Sequence, residues 1–396
     1  MRPFEGRRVL VVVTGGIAAY KTAYLVRRLH EADALVDVVL TPSAEKFVGR
    51  VTFEGLTGRP ARTSLWERPL DHIELGREAE LAIVAPATAD FLSKMAAGGA
   101  DTLAAATLLA AACPVLLCPA MNERMWEHPA TRRNVEALRE FGLEMVGPDR
   151  GELAEGEIGI GRMSEPADIM AVAGRMLEEA TLRERRIVVT AGPTRAPIDP
   201  VRYIGSRSSG HMGQALAASA WRRGADVVLV SGPAARSHPY GVEVVEVETS
   251  DEMLGALSAA LGSAHLLLMA AAVSDFVSPS PSSSKIKKDG GGLELGLVAG
   301  PDLLEETRGN REERGVLTLG FALETDTPVE NGRSKLESKK MDFVAINEVG
   351  DPAAGFDVPT NRVTLLDRWG GLEEFPVLSK EEVADRLLDR VEARLD

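Results

Sequence analysis

The feature that most constrains this chain is a pattern that occurs twice along it. Arg8 to Thr14 (RVLVVVT) is an unbroken apolar run rich in valine, followed by Gly15-Gly16 and then by Ile17 to His30, a proline-free stretch with helical spacing. Arg186 to Thr190 (RIVVT) repeats the run and leads into Ala191-Gly192-Pro193-Thr194. After a polar loop a second helical stretch follows, Gly210 to Arg223. Short apolar strand candidates come after each start: Leu35–Leu40, Leu81–Ala85 and Val115–Leu117, then Val227–Val230, Leu266–Ala270, Thr318–Leu323 and Phe343–Ile346. Strands that are apolar throughout, rather than alternating, belong to parallel sheets covered by helices on both faces. The pattern therefore predicts two doubly wound α/β domains.

A length of 396 residues suits two or three domains. Pro166 to Arg185 reads as a helix running into a charged stretch (EEATLRERR), which puts the boundary near Leu182 to Arg185 and the domains at 1–184 and 185–396. Ser278 to Gly292 (SPSPSSSKIKKDGGG) has the composition of a mobile loop inside the second domain. Lys plus Arg total 45 against 59 Asp plus Glu, a net charge of −14. That balance argues against a nucleic-acid binder working through a diffuse basic surface, so any anionic ligand must be met by locally placed cations. Two cysteines, Cys113 and Cys118, exclude a disulfide framework and a four-thiolate metal site. The start of the chain shows no secretory pattern, and Leu103 to Ala120 is alanine-rich and broken by Pro114, too weakly apolar for a membrane span. The expectation is a cytoplasmic protein with no membrane partner.

Three loops follow predicted strands and so fall at the carboxyl edge, where open α/β sheets bind ligands: Thr14 to Ala19, Ala85 to Asp90, and Pro119 to Asn122. Taken alone, the Gly15-Gly16 turn is either a tight structural turn or a cradle for a phosphate, and it lacks the spaced-glycine dinucleotide fingerprint. Three such loops on one edge favour a ligand. His72, in Asp71-His72-Ile73-Glu74, is either a surface histidine at a helix start or an acid–base group whose partner lies elsewhere. Lys335 and Lys339 stand four apart, the spacing of an exposed helix face.

The first half resembles the flavin-dependent cysteine decarboxylases, specifically phosphopantothenoylcysteine decarboxylase. The residues that carry the likeness are TGGIAAYK (Thr14 to Lys21), HIEL (His72 to Leu75), APATAD (Ala85 to Asp90), PAMN (Pro119 to Asn122) and GEIGIGRM (Gly156 to Met163). The second half resembles phosphopantothenate-cysteine ligase through TAGPTRAPIDPVRYI (Thr190 to Ile204), RSSGHMG (Arg207 to Gly213), AAAVSDF (Ala270 to Phe276), KIKK (Lys285 to Lys288), GFALET (Gly320 to Thr325) and KLESKKMDFVAINEV (Lys335 to Val349). The order is that of the fused bacterial enzyme of coenzyme A synthesis.

The resemblance implies a flavodoxin-like FMN domain followed by a Rossmann-like CTP domain. The ligase would activate 4'-phosphopantothenate with CTP as an acyl-cytidylate, from which L-cysteine displaces CMP. The decarboxylase would then use FMN to oxidise the cysteinyl thiol, lose carbon dioxide and reduce the resulting ene-thiol. By the same resemblance Gly15, Gly16, Ile17, Thr41, Thr88 and Met121 hold FMN. His72 assists decarboxylation, Asn122 holds the substrate carboxylate, and Arg162, Met163 and Ser206 contact substrate. Ala271, Asp275, Lys285, Pro301, Asp302, Leu303, Leu304, Phe321, Lys335 and Lys339 match CTP positions, with Lys285 catalytic and Asp275 suited to Mg2+. A homo-oligomer follows too, with trimeric contacts in the first domain and dimeric contacts in the second.

Three positions depart from the family pattern. Glu155 stands where a proton-donating cysteine is usual, and it is read either as a replacement acid in a desolvated flap or as a flap residue without a chemical role. Ser206 replaces a common asparagine, and His211 stands where a lysine often follows SSG.

Overall fold

The computed structural model describes residues 3–233, 237–288, 293–324, 327–348 and 358–395. Asp289 to Gly292 of the Ser-rich loop, and the motif ends Thr325 and Val349, lie outside the described residues. The chain divides into two compact units, Arg2–Glu179 and Ala180–Asp396. The division comes before Leu182 rather than after Glu184 because Leu182 is buried in the second core and its N–H donates to the Arg223 carbonyl at 2.9 Å. The helix expected from Pro166 ends at Leu177, short of the charged stretch.

In chain order the first unit contains β1 (Arg8–Val13), α1 (Ala19–Glu31), β2 (Leu35–Leu40), α2 (Arg50–Thr57), α3 (Asp71–Glu78), β3 (Leu81–Ala87), α4 (Ala89–Ala96) and α5 (Leu103–Ala110). It continues with β4 (Val115–Pro119), α6 (Glu123–Glu127), α7 (Pro129–Glu140), β5 (Glu144–Met145), β6 (Asp149–Glu152), β7 (Ile158–Arg162) and α8 (Pro166–Leu177). The parallel sheet has the order β2-β1-β3-β4-β5, the flavodoxin-like winding. Every residue of β3 is buried, and all of β1 after Arg8, which is why these strands read as continuous apolar runs. Helix α1 starts at Ala19, two residues after Ile17, because Gly16 N–H bonds back to Thr14 and Ala19 N–H to Gly16 in a turn.

The second unit begins with β8 (Arg186–Ala191), β9 (Arg195–Pro197), β10 (Tyr203–Gly205), α9 (His211–Arg222), β11 (Asp226–Ser231), β12 (Glu243–Glu246), α10 (Ser250–Ala260) and β13 (Leu266–Met269). Next come β14 (Phe276–Val277), β15 (Val298–Ala299), α11 (Leu303–Glu306), α12 (Arg308–Arg314), β16 (Leu317–Glu324), α13 (Pro328–Ser338) and β17 (Phe343–Glu348). The unit closes with β18 (Thr360–Asn361), β19 (Val363–Asp367), β20 (Leu372–Glu374), β21 (Leu378–Ser379) and α14 (Lys380–Glu392). Its main sheet runs β12-β11-β8-β13-β16-β17, all parallel, with β19 and β20 added antiparallel at one edge. The parallel part has the Rossmann order 3-2-1-4-5-6. No helix among the described residues is long and apolar enough to cross a membrane.

Helix α14 docks on α9 through a buried charge cluster. Asp385 accepts from Ser219 Oγ and Arg222 Nη2, while Arg223 Nη1 lies 2.8 Å from both Asp389 and Glu392. Removing one partner of a buried ion pair leaves the other charge desolvated and uncompensated. Asp385→Ala is therefore expected to destabilise the second domain by about 3 kcal/mol, read from the denaturant midpoint of that domain.

Candidate active sites

In the first unit, strand order reverses beside β1, so the loops after β1 and β3 diverge and leave a crevice. Thr14 ties the two strand ends together: its hydroxyl donates to the Pro86 carbonyl at 2.7 Å and accepts from Thr88 N–H at 3.3 Å. The two glycines of the turn are not equivalent. A Cβ on Gly15 would run into the Ser43 side chain and backbone, whereas one on Gly16 meets nothing nearer than Thr88 Cγ2 at 3.5 Å.

Above the crevice stands the hairpin of β6 and β7. Met121 N–H donates to the Gly161 carbonyl at 3.0 Å, and Ile160 N–H to Glu123 Oε1 at 2.8 Å. Gly161 sits so close that a Cβ there would strike the Met121 carbonyl oxygen. The hairpin tip brings Glu155 to Asn122, whose amide donates to the Glu155 carboxylate. Crevice and hairpin enclose a cavity of about 880 Å³. Gly15, Gly16, Ile17, Thr41, Thr88, Met121, Asn122, Glu155, Arg162 and Met163 all line it.

His72 does not. It is the second residue of α3, which packs on α5, and the start of that helix is held by the pairing of Asp71 with Arg62, so within one chain His72 stays outside the cavity lining. Lys21 joins the lining instead, a residue that the sequence marked only as part of a motif. Its buried ammonium donates to the Met163 carbonyl at 3.0 Å and to Glu165 at 2.8 Å. That hydrogen bond holds the Glu165 carboxyl below its ordinary value, and Glu165 also pairs with Arg162. The signal in the sequence is a lysine beside Thr22, Leu25 and Val26 on the buried side of α1, where an ammonium needs an acceptor.

In the second unit the reversal lies between β8 and β13. Ala271 N–H donates to Thr190 Oγ1 at 3.2 Å, Ala272 N–H to the Gly192 carbonyl at 2.9 Å, and Ser274 N–H to Thr194 Oγ1 at 2.8 Å. These bonds fix the two diverging loops and leave Asp275 exposed beyond them. Lys335 Nζ lies 2.7 Å from Glu324, and Lys339 pairs with Asp302, whose own side chain caps α11. Phe321 is half-buried and Lys285 is exposed.

Leu303 differs from expectation, since its side chain is buried in the core with Val188 and Met253; a ligand can meet that position only through its backbone. Ser206 is exposed after β10. His211, by contrast, is buried and lies 2.8 Å from Glu381, which commits it to α14.

Residues 2–177 match the family described as Flavoprotein, and residues 182–395 match DNA/pantothenate metabolism flavoprotein C-terminal domain. The coenzyme A biosynthesis bifunctional protein CoaBC of Vibrio vulnificus is 38% identical over 399 residues, 99% of each chain. That of Escherichia coli strain K12 is 40% identical over 400 residues, 99% of this chain and 98% of the relative. Among solved structures, the C-terminal domain of a coenzyme A biosynthesis bifunctional protein CoaBC aligns with a TM-score of 0.47 and 33% identity, covering 55% of this chain and 98% of that one.

The unequal glycines give a direct test of the crevice. Gly15→Ala is expected to lose bound flavin, and Gly16→Ala to retain it, read from the visible absorbance of each purified protein alongside its thermal stability.

Proposed function

Since the chain belongs to the family of coenzyme A biosynthesis bifunctional proteins, which unite phosphopantothenoylcysteine decarboxylase and phosphopantothenate-cysteine ligase activities, we propose that its first domain binds FMN and its second binds CTP. What carries the first half of this reading is the cavity at the β1–β3 crevice, with donors at the Gly15 turn and at Thr88 and an apolar flank at Ile17 and Met121. Backbone amides before α1 suit a phosphate. Bound FMN supplies the two-electron oxidation that makes carbon dioxide easy to lose, and the later return of those electrons. Asn122 then holds the substrate carboxylate, Arg162 meets an anionic group, and the hairpin excludes water. His72 serves the cavity of another copy of the chain, through the trimeric contacts expected of this domain.

In the second domain, Lys285, Lys335 and Lys339 offset the charge of CTP while the carboxylate of 4'-phosphopantothenate becomes an acyl-cytidylate and L-cysteine displaces CMP. Lys335 and Lys339 are held by Glu324 and Asp302 until phosphate oxygens replace those carboxylates. Asp275 would hold Mg2+ through water, since a hard cation favours carboxylate oxygens. The site of action is the cytoplasm. The test is product analysis: purified protein given 4'-phosphopantothenate, cysteine and CTP should release CMP and yield 4'-phosphopantetheine. Lys285→Gln should slow acyl-cytidylate formation far more than it weakens CTP binding, and equal activity would refute the role of Lys285.

A second reading rests on Glu155. Neither Cys113 nor Cys118 lines the cavity, and Cys118 is fully enclosed in β4, so neither replaces the usual flap thiol. Without a proton donor the first domain would stop at the ene-thiol. If Glu155 is the donor, Glu155→Gln should keep oxidative decarboxylation and accumulate ene-thiol, whereas Glu155→Cys should sustain full turnover; mass spectrometry of the products separates the cases. A Gln variant that makes phosphopantetheine at the parental rate removes Glu155 from the chemistry.

A further inference from the structure

The Ser-rich segment after β14 has the composition of a mobile loop, yet the structure pins it on both sides of Lys285. Between β9 and β10 the chain makes a turn around the buried carboxylate of Asp199. Oδ1 accepts from Val201 N–H at 2.8 Å and Arg202 N–H at 2.9 Å, and Oδ2 accepts from Arg202 Nε at 3.0 Å. The turn is closed by Ile198 N–H donating to the Arg202 carbonyl at 2.8 Å. From it, two groups reach the Ser-rich segment at the same place: Ile286 N–H donates to Asp199 Oδ2 at 3.1 Å, and Arg202 Nη2 donates to the Ile286 carbonyl at 2.5 Å. A third bond, Ser282 N–H to the Ile198 carbonyl at 2.9 Å, holds the segment on the other side of Lys285.

Lys285 therefore lies between two anchored residues while its own side chain remains exposed. With both backbone groups of Ile286 engaged, the backbone direction at Lys285 is set, and only its side-chain torsions stay free. Ordering the backbone during folding removes that entropy cost from the step that uses the cation. We propose that Asp199 and Arg202 form a clamp that positions Lys285 for the ligase reaction; they are positioning residues, and this rests on the reading of Lys285 as the ligase's catalytic cation.

The clamp suits a constitutive role. Burial opposes ionisation of Asp199, but the N–H groups of Val201, Ile286 and Arg202, with the Arg202 guanidinium, hold its carboxyl down at about 2. Its contribution to stability is fully present above about 3.9, the ordinary aspartate value, and is lost only as the pH falls through about 2. The acceptor thus stays charged at neutral pH.

The experiment compares the full-length parent with Asp199→Ala, Lys285→Gln and the double variant. Hydrogen exchange at the Ile286 amide reads the clamp, and CMP release at saturating CTP reads its effect. The denaturant midpoint of the second domain checks that each variant is folded. Asp199→Ala should raise exchange at Ile286 and lower the rate of CMP release by roughly 10²-fold, the scale of misplacing a catalytic group by about 1 Å, with little change in KM for CTP. In the Lys285→Gln background the same change should cost almost nothing more, because the residue acts through Lys285. Arg202→Lys, which keeps a donor for the Ile286 carbonyl, should recover part of the rate relative to Arg202→Met.

Unchanged exchange at Ile286 would overturn the clamp. Raised exchange with a parental rate, or losses that multiply in the double variant, would overturn the positioning role. A fully active Lys285→Gln would instead overturn the reading of Lys285 itself, and the positioning role with it.

Discussion

Both candidate sites depend on a reversal of strand order beside the first strand of a parallel sheet. Parallel strands buried on both faces leave their polar backbone groups accessible only at the ends, and adjacent connections diverge only where the winding direction changes. In the first unit that point lies between β1 and β3, and in the second between β8 and β13. Thr14 and Thr190 stand at corresponding places and do the same work: each uses a buried hydroxyl to tie the end of its own strand to the loop of the neighbour across the reversal. The crevice is thereby held open by bonds made within the sheet, so it exists before any ligand arrives.

Around the first crevice, close backbone approach decides which residues are replaceable. Gly15 is required where the β1 turn meets Ser43, and Gly161 where the hairpin strand rests on the Met121 carbonyl; Gly16 has room to spare. The result is a hairpin anchored at its base by Met121 and Glu123, with Glu155 at its free tip touching Asn122. A covering element with a fixed base and a light tip can exclude water from a ligand without reorganising the sheet.

Charge is managed locally, as an acidic chain requires. Two cations of the second unit are paired with carboxylates, Lys335 with Glu324 and Lys339 with Asp302. Lys285 is handled differently. The backbone beside it is constrained at Ile286 while its own side chain is left exposed.

The two α/β units were legible in the sequence, because runs such as Arg8–Val13 and Leu266–Met269 have no stable place except inside a sheet covered on both faces, and in the first half three loops after strands could be read as the ligand edge. Periodicity could not give strand order or the hairpin, since β6 and β7 carry alternation too weak to stand apart from turn residues. It also put the Ser-rich segment down as free, because composition reports the loop's own preferences and not the buried Asp199 that grips it from a distant turn. Motif likeness named His72, Leu303 and His211 by position alone. Only the tertiary structure showed that Leu303 turns into the core, that His211 is committed to Glu381, and that His72 lies outside its own chain's cavity. The physical reason is the same throughout: a strand is specified by the burial of its own residues, whereas a site is made by contacts between residues far apart in sequence, which no local pattern encodes.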